Sequence, residues 1–343
     1  MTTHGNTLFV QTQGAVLGKE GETVRVKVDG QVKLVVPLHH LNGIVCFGRV
    51  LVSPSLVQLC AERDVGIAYM SEHGRFVARL VSAVSGNVLL RREQYRRADA
   101  AESCLAIARQ IIAAKIQNCR TTLLRGGREC GDADKAQQLR RAADRLACTL
   151  DVLAKAESID SARGCEGEAA RVYFESFNLL IRQQNESFQM TGRSRRPPLD
   201  PLNAMLSFVY SVLTSEMAAA LEGVGLDPAV GFLHVDRPGR LSLALDLLEE
   251  FRPLLADRLV LSLINLRQVR PDGFQTQPGG AVLMNAETRK TVLAALTQRK
   301  REELTHPLLG EKVTIGLLPH LQARLLARHL RGDLETYPAL MLK

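Results

Sequence analysis

At 343 residues, with 46 % hydrophobic side chains, the chain can bury a proper core in one large or two ordinary domains, which excludes a wholly disordered protein. Lys and Arg outnumber Asp and Glu by 44 to 36, and the resulting +8 favours polyanionic partners. Aromatics at 4 % and the absence of Trp argue against stacking platforms for single-stranded nucleic acid. The longest uncharged apolar stretch, 201–215, is shorter than the roughly 20 residues of a membrane span. Met1-Thr-Thr-His-Gly5 has neither segment of a secretory leader. The seven cysteines are odd in number and form no C-x-x-C pair, so they read as reduced thiols. A soluble, cytoplasmic protein without a membrane partner is the expectation.

Through about residue 85 the pattern is that of strands. Leu8-Phe-Val10 opens it, and Thr23–Val28 alternates polar and apolar with period two before Asp29-Gly30, a strong two-residue hairpin signal. Val32-Lys-Leu-Val-Val36 is its partner, and Gly43–Phe47 and Phe76–Leu80 are further strands. Ser53-Pro54 starts a short helix that ends near Glu62. After Asn87 apolar residues recur at helical spacing over 92–125, 135–157, 165–188, 201–222, 241–265 and 284–303, with Asp200-Pro201 as another helix start. The prediction is an α+β chain, with a β-rich domain over 1–87 and an α-helical domain over 88–343.

Between Arg91 and Arg128 nine basic residues face three acids, and Arg193-Ser-Arg195-Arg196 forms a second cluster in a Gly/Pro-flanked loop. Each reads either as a solvated face or as contacts to phosphate, since guanidinium groups neutralise nucleic-acid backbone. No phosphate-binding glycine loop, G-x-S-x-G elbow or H-E-x-x-H motif is present. What remains is a scattered set of acids and one imidazole. Glu166, in Gly164-Cys-Glu-Gly-Glu168, opens an apolar helical stretch, where a carboxylate also serves as a helix-dipole partner. His234 precedes a Pro-Gly turn. Asp246, amid five leucines, shares a helix face with Glu249 and Glu250, as a solvated stripe or as metal ligands. Carboxylates with a neutral imidazole suit Mn2+ or Mg2+ and phosphoryl chemistry.

At these residues the sequence resembles the CRISPR-associated Cas-one integrase family. The resemblance rests on Gly164-Cys-Glu-Gly-Glu-Ala-Ala-Arg-Val-Tyr-Phe174, Arg195-Arg-Pro-Pro-Leu-Asp-Pro-Leu-Asn-Ala204, Gly231-Phe-Leu-His234, Ser242-Leu-Ala-Leu-Asp-Leu247 and Glu249-Glu-Phe-Arg-Pro253. Pro37-Leu-His-His-Leu41, Ser71-Glu-His-Gly-Arg-Phe76 and Asn87-Val-Leu-Leu-Arg-Arg-Glu-Gln-Tyr95 are similar to its type I-C branch. The resemblance implies a β-sandwich-like N-terminal domain, an all-α catalytic domain and a homodimer. It also implies a heterohexamer with the Cas-two partner that joins 3′-hydroxyl ends of short invader-derived DNA into a CRISPR repeat array. Carried over by motif, Glu166, His234 and Glu249 are the catalytic metal ligands, and position 249 is Asp in some relatives. Asp246 is a supporting acid, and Glu168 and Glu250 lie at the surface or behind the ligands. His39, His40 and His73 are structural or interface residues, and Arg193, Arg195, Arg196 and the 91–128 helix hold double-stranded DNA. The tail Tyr337–Lys343 departs from relatives, which carry bulkier aromatics there. An architectural DNA-binding protein and a plain metal-dependent nuclease are the competing readings.

Overall fold

The computed structural model describes residues 7–80 and 87–342. The leader expectation for residues 1–5 lies outside the described residues. In chain order come β1 (Thr7–Val10), β2 (Val16–Glu20), β3 (Thr23–Val28), β4 (Gln31–Pro37), β5 (Gly43–Phe47), β6 (Leu51–Val52), helix α1 (Pro54–Glu62), β7 (Gly66–Met70) and β8 (Phe76–Leu80). They form two four-stranded sheets, ordered β1-β5-β7-β8 and β4-β3-β2-β6. Asp29 and Gly30 both take positive φ, 51° and 77°, as the predicted two-residue hairpin between β3 and β4 requires. Inward residues of both sheets and of α1 meet in one core that includes Leu17, Val24, Ile44 and Leu56. Three strands escape the pattern reading. Gly18 interrupts β2, β6 is two residues long, and β7 runs parallel to β5 with consecutive buried residues instead of alternation.

The helices follow: α2 (Val88–Asp99), α3 (Ala101–Glu129), α4 (Ala133–Ala154), α5 (Ile159–Glu175), α6 (Pro201–Gly223), α7 (Ser242–Phe251) and α8 (Arg258–Asn265). A short hairpin, β9 (Phe274–Thr276) and β10 (Val282–Met284), precedes α9 (Ala286–Arg301), the strand pair β11 (Glu303–Thr305) and β12 (Lys312–Thr314), and α10 (Leu318–Leu330). The stretch expected as one helix over 92–125 breaks at Ala100, whose backbone is extended although neither Gly nor Pro marks the spot. α5 starts earlier than its expected position at 165, because Ser158 and Ser161 cap it reciprocally. Asp200 accepts from the Asn203 N–H at 2.7 Å, capping α6 as predicted. By length and composition α6 passes for a membrane span, so judging 201–215 by its flanking charges is too strict; 72 % of its most apolar window is nevertheless buried, which marks a core helix. A π-helical turn, Arg252–Asp257, joins α7 to α8 and carries Pro253, whose missing N–H suits a widened turn.

The chain divides into two compact units. One comprises the described residues of Met1–Gly86 with Met284–Leu304 and Lys312–Leu318; the other comprises those of Asn87–Leu283, Thr305–Glu311 and Pro319–Lys343. The assignment of everything from 88 to 343 to a helical domain therefore needs correction, since α9 groups with the strands. Its Lys300 Nζ donates to Thr7 Oγ1 at 2.9 Å, and Arg289 donates to Met284 O at 2.6 Å, His73 Nδ1 at 3.2 Å and Glu72 Oε1 at 3.3 Å. Helical periodicity reveals a helix but not which core receives it. Leu56→Ala is expected to destabilise the protein by about 2–5 kcal/mol, against under about 0.5 kcal/mol for exposed Leu51→Ala, as urea unfolding would measure.

Candidate metal centre

The second unit gathers its chemistry around α7. Asp246, Glu249 and Glu250 are 0 %, 2 % and 0 % exposed, so they are no solvated stripe, and each buried carboxylate has its own partners. Asp246 faces the loop before α7. Its Oδ2 accepts the N–H groups of Phe232 at 2.7 Å and Leu233 at 2.9 Å, and its Oδ1 accepts the His234 N–H at 2.9 Å. The same Oδ1 lies 2.7 Å from His234 Nδ1. A carboxylate oxygen accepts, so Nδ1 is the donor in this contact and Nε2 is the ring nitrogen turned toward Glu249. Gly231 makes room for this grip, because a Cβ there would meet Asp246 Oδ2 and the Ser242 Cβ at 2.8 Å. The N–H groups of Leu243 and Ala244, at the start of α7, donate to Pro228 O at 3.0 and 3.3 Å, which fixes the loop to the helix end.

Glu249 faces the other nitrogen of the same imidazole. Its Oε1 lies 2.5 Å from Arg252 Nη1 and 3.9 Å from His234 Nε2, while its Oε2 lies 2.7 Å from Lys115 Nζ on α3. Burial opposes ionisation of Glu249, but Arg252, Lys115 and His234 overcome it and hold its pKa at about 2. Lys115 Nζ also bonds Glu166 Oε1, so one ammonium bridges the two carboxylates. Burial likewise opposes the charge on Lys115, and Glu249 and Glu166 reverse that, raising its pKa. Glu166 lies well inside α5 rather than in its first turn, which removes the basis for the dipole-partner reading. The Glu166 and His234 side chains are 28 % and 27 % exposed, so the cluster opens to solvent on their side and closes at Glu249.

Among the described residues no three His, Cys, Asp or Glu side chains are drawn together around one point as a finished metal site. The donor set nonetheless fits a divalent cation. Glu249 Oε2 is a buried oxygen without an aligned hydrogen bond despite its ion pair, and two carboxylates already share one cation, with an imidazole nitrogen alongside.

Glu250, expected at the surface or behind the ligands, is wholly interior and serves a different purpose. Tyr337 Oη donates to its Oε1 at 2.6 Å, and Gln322 Nε2 and the Leu340 N–H donate to its Oε2 at 2.9 and 2.7 Å. Asn118, one turn after Lys115, donates to Glu250 O at 2.9 Å and Leu340 O at 2.8 Å and accepts the Leu342 N–H at 3.0 Å. The C-terminal tail is thereby tied to α3 and α7 directly behind Glu249. Burial drives the Glu250 pKa up to about 7, partly offset by the three donors. Glu168, by contrast, is an exposed partner of Arg145 and Arg171.

The family model for CRISPR associated protein Cas1 matches residues 8–298. A CRISPR-associated endonuclease Cas1 1 from Chlorobaculum tepidum is 50 % identical over 338 residues, covering 98 % of each protein. The chain belongs to the Cas1 family. Its fold, an N-terminal strand-rich region and a C-terminal helical region, recurs in solved structures at lower identity. A chain of a Cas6-RT-Cas1–Cas2 complex matches with TM-score 0.83 at 24 % identity, over 99 % of this chain and 37 % of that one. A casposase bound to integration product matches with TM-score 0.84 at 21 % identity, over 98 % and 94 %.

Within this Cas1-family chain the structure brings Glu166, His234, Asp246 and Glu249 together across α5, the 231–234 loop and α7. It adds Lys115, outside the motifs, and Arg252, which lies within the Glu249–Pro253 motif but has no role assigned there. Lys115 belongs to the basic run that reads as a surface, yet it falls on the face of α3 that carries Ile111, Ile112 and Cys119 inward, and that spacing is the signal available in the sequence. The basic clusters need correction. Arg193 is turned inward, where its guanidinium donates to Ser194 O at 2.7 Å, Asn203 Oδ1 at 2.5 Å and Ser207 Oγ at 3.2 Å and lies over the Tyr210 ring. Arg195 and Arg196 are exposed. In the 91–128 stretch Arg91 and Arg109 bond the carbonyls of Gly225 and Ala156, and Arg97 and Arg125 pair with Glu93 and Glu129. It is not a continuous basic surface.

Two substitutions test this arrangement. Asp246→Asn removes an acceptor from the imidazole and loop and is expected to weaken divalent-cation binding about 10–100-fold, measured by metal titration. Tyr337→Phe is expected to destabilise the chain by about 1.5–3 kcal/mol in urea unfolding. Because Glu250 has a raised pKa near 7, the stability its protonation contributes is present at acid pH and lost as pH rises through 7. Tyr337→Phe should therefore be more damaging at pH 8 than at pH 6.

Proposed function

We propose that this chain is the metal-dependent nuclease and integrase of CRISPR spacer acquisition, joining 3′-hydroxyl ends of short invader-derived double-stranded DNA into the repeat array. Full-length membership of the Cas1 family supports the activity. The observation that carries the chemistry is the convergence of buried Glu249 and solvent-facing Glu166 on one cation, with His234 Nε2 beside them. Glu166, His234 and Glu249 would hold the ion, Mn2+ or Mg2+. When bound, the ion supplies Lewis acidity that polarises a phosphoryl group and steadies charge on its oxygens. Asp246 fixes the imidazole with Nε2 toward Glu249, Arg252 holds Glu249 in place, and closure of the site around Glu249 keeps water from that side. Joining exchanges one phosphodiester for another: the incoming 3′-oxygen forms a P–O bond as the repeat's P–O bond breaks, so no ATP is consumed. Water in place of the 3′-hydroxyl gives cleavage.

The same reading covers the assembly and setting. The chain works in the cytoplasm as part of the type I-C branch, with exposed Arg195 and Arg196 contacting DNA phosphates. A homodimer is supported by the edge strands β4 and β8, which carry exposed Val32, Leu34 and Val35, and Phe76, Val77 and Leu80. A Cas2 partner completing a heterohexamer is supported by the likeness to the Cas1–Cas2 assembly. A purely architectural role is disfavoured by the burial of the acids it would require at the surface.

The test is to incubate the protein and its Cas2 partner with a labelled short duplex and a supercoiled repeat-bearing plasmid in Mn2+ or Mg2+. The parent is expected to join label to plasmid, while Glu166→Ala, His234→Ala and Glu249→Ala lose at least about a hundredfold. Cleavage without joining would leave a plain nuclease. Metal-independent binding alone would restore the architectural reading.

A further inference from the structure

A lysine is among the side chains least often buried, yet Lys115 is 5 % exposed in the middle of α3. Its ammonium touches both Glu166 Oε1 and Glu249 Oε2, two of the oxygens that the proposed ion would need. Among the described residues the charges facing this spot are Glu166, Glu249 and Lys115 itself, with Arg252 on the far oxygen of Glu249 and His234 beside it. Lys115 and Arg252 thus already face the two carboxylates with two positive charges, and Asp246 backs the imidazole. A dication entering here must displace an ammonium and then remain beside those two positive charges.

We propose that Lys115 is an internal counter-cation. It holds Glu166 and Glu249 at the separation of a shared cation while no ion is bound, and it yields their oxygens when the ion enters. Lys115 is a positioning residue in this account, and the account rests on the proposed metal site. It has a consequence opposite to that of an ordinary structural residue. A lysine that merely packed the core would, when removed, loosen the ligands and weaken metal binding. A lysine that competes with the ion strengthens metal binding when removed, because a repelling charge and an occupant are lost together.

Lys115→Met and Lys115→Gln remove the charge with similar length, and Lys115→Arg keeps it. Mn2+ titrations followed by electron paramagnetic resonance, on the full chain without DNA, give the affinity directly. The uncharged variants are expected to bind Mn2+ at least about tenfold more tightly than the parent, and Lys115→Arg within about twofold of it. Thermal unfolding supplies a second reading. In EDTA the uncharged variants should melt below the parent, since two facing carboxylates lose their shared cation, and Mn2+ should raise their melting temperature by more than it raises the parent's. Mn2+ binding by Lys115→Met and Lys115→Gln that is equal to or weaker than the parent's overturns the inference while leaving the metal site standing. A parent that takes up no Mn2+ overturns both. If one uncharged variant does not fold in EDTA, the other, or its refolding on Mn2+ addition, decides in the same way.

Discussion

Three carboxylates within five residues of one buried helix impose the constraint from which the rest of the helical unit follows. Water is not available to Asp246, Glu249 or Glu250, so each must find charge or donors inside the protein. The three lie along one face of α7, yet they draw in three separate pieces of chain. Asp246 gathers the loop that carries His234, Glu249 gathers α3 and α5 through Lys115, and Glu250 gathers the C-terminal tail. The architecture around the site is the sum of these demands. An apolar helix at the same place would pack more cheaply and would position nothing.

Beneath this cluster a further buried acid fixes the end of the π-helical turn. Asp257 accepts from Tyr210 Oη at 2.5 Å and Tyr173 Oη at 3.0 Å, and burial raises its pKa to about 6 against those bonds. Tyr210 in turn lies under the guanidinium groups of both Arg193 and Arg252. Arg252 is therefore held between a ring and Glu249, and the widened turn at Pro253 sets its direction. Rigid support of this kind matters because a carboxylate that strays by an ångström ceases to be a ligand.

Much of this is legible in the amino-acid sequence. The Asp29-Gly30 hairpin, the Ser53-Pro54 and Asp200-Pro201 helix starts and the β-then-α order follow from local rules whose partners lie within a few residues. The motifs around Glu166, His234, Asp246 and Glu249 point to residues that the fold does bring together. Long-range pairing is not legible. Nothing in the spacing of α3 says that Lys115 meets Glu166 and Glu249, and nothing local sends α9 to the strand-rich unit. Charge counting fails for the same reason: a dense run of bases looks like a surface, but Arg193 and Lys115 turn inward, Arg91 and Arg109 bond carbonyls, and Arg96, Arg97 and Arg125 pair with acids on their own helices. The tail Tyr337–Leu342 is a docked strap because a glutamate it never adjoins in sequence needs donors.

That strap also sets the order in which the enzyme comes into being. Glu250 obtains the N–H of Leu340, a residue that leaves the ribosome 90 positions after it, and Asn118 waits still longer for the N–H of Leu342. Until then α7 holds an acid with incomplete partners next to Glu249, and the helix that carries the proposed ligand has nothing closing its back. A nascent chain, or one terminated ahead of Leu340, is thus left without a finished site. In this Cas1-family chain the strap thus completes the surroundings of an acid that α7 presents much earlier in the sequence.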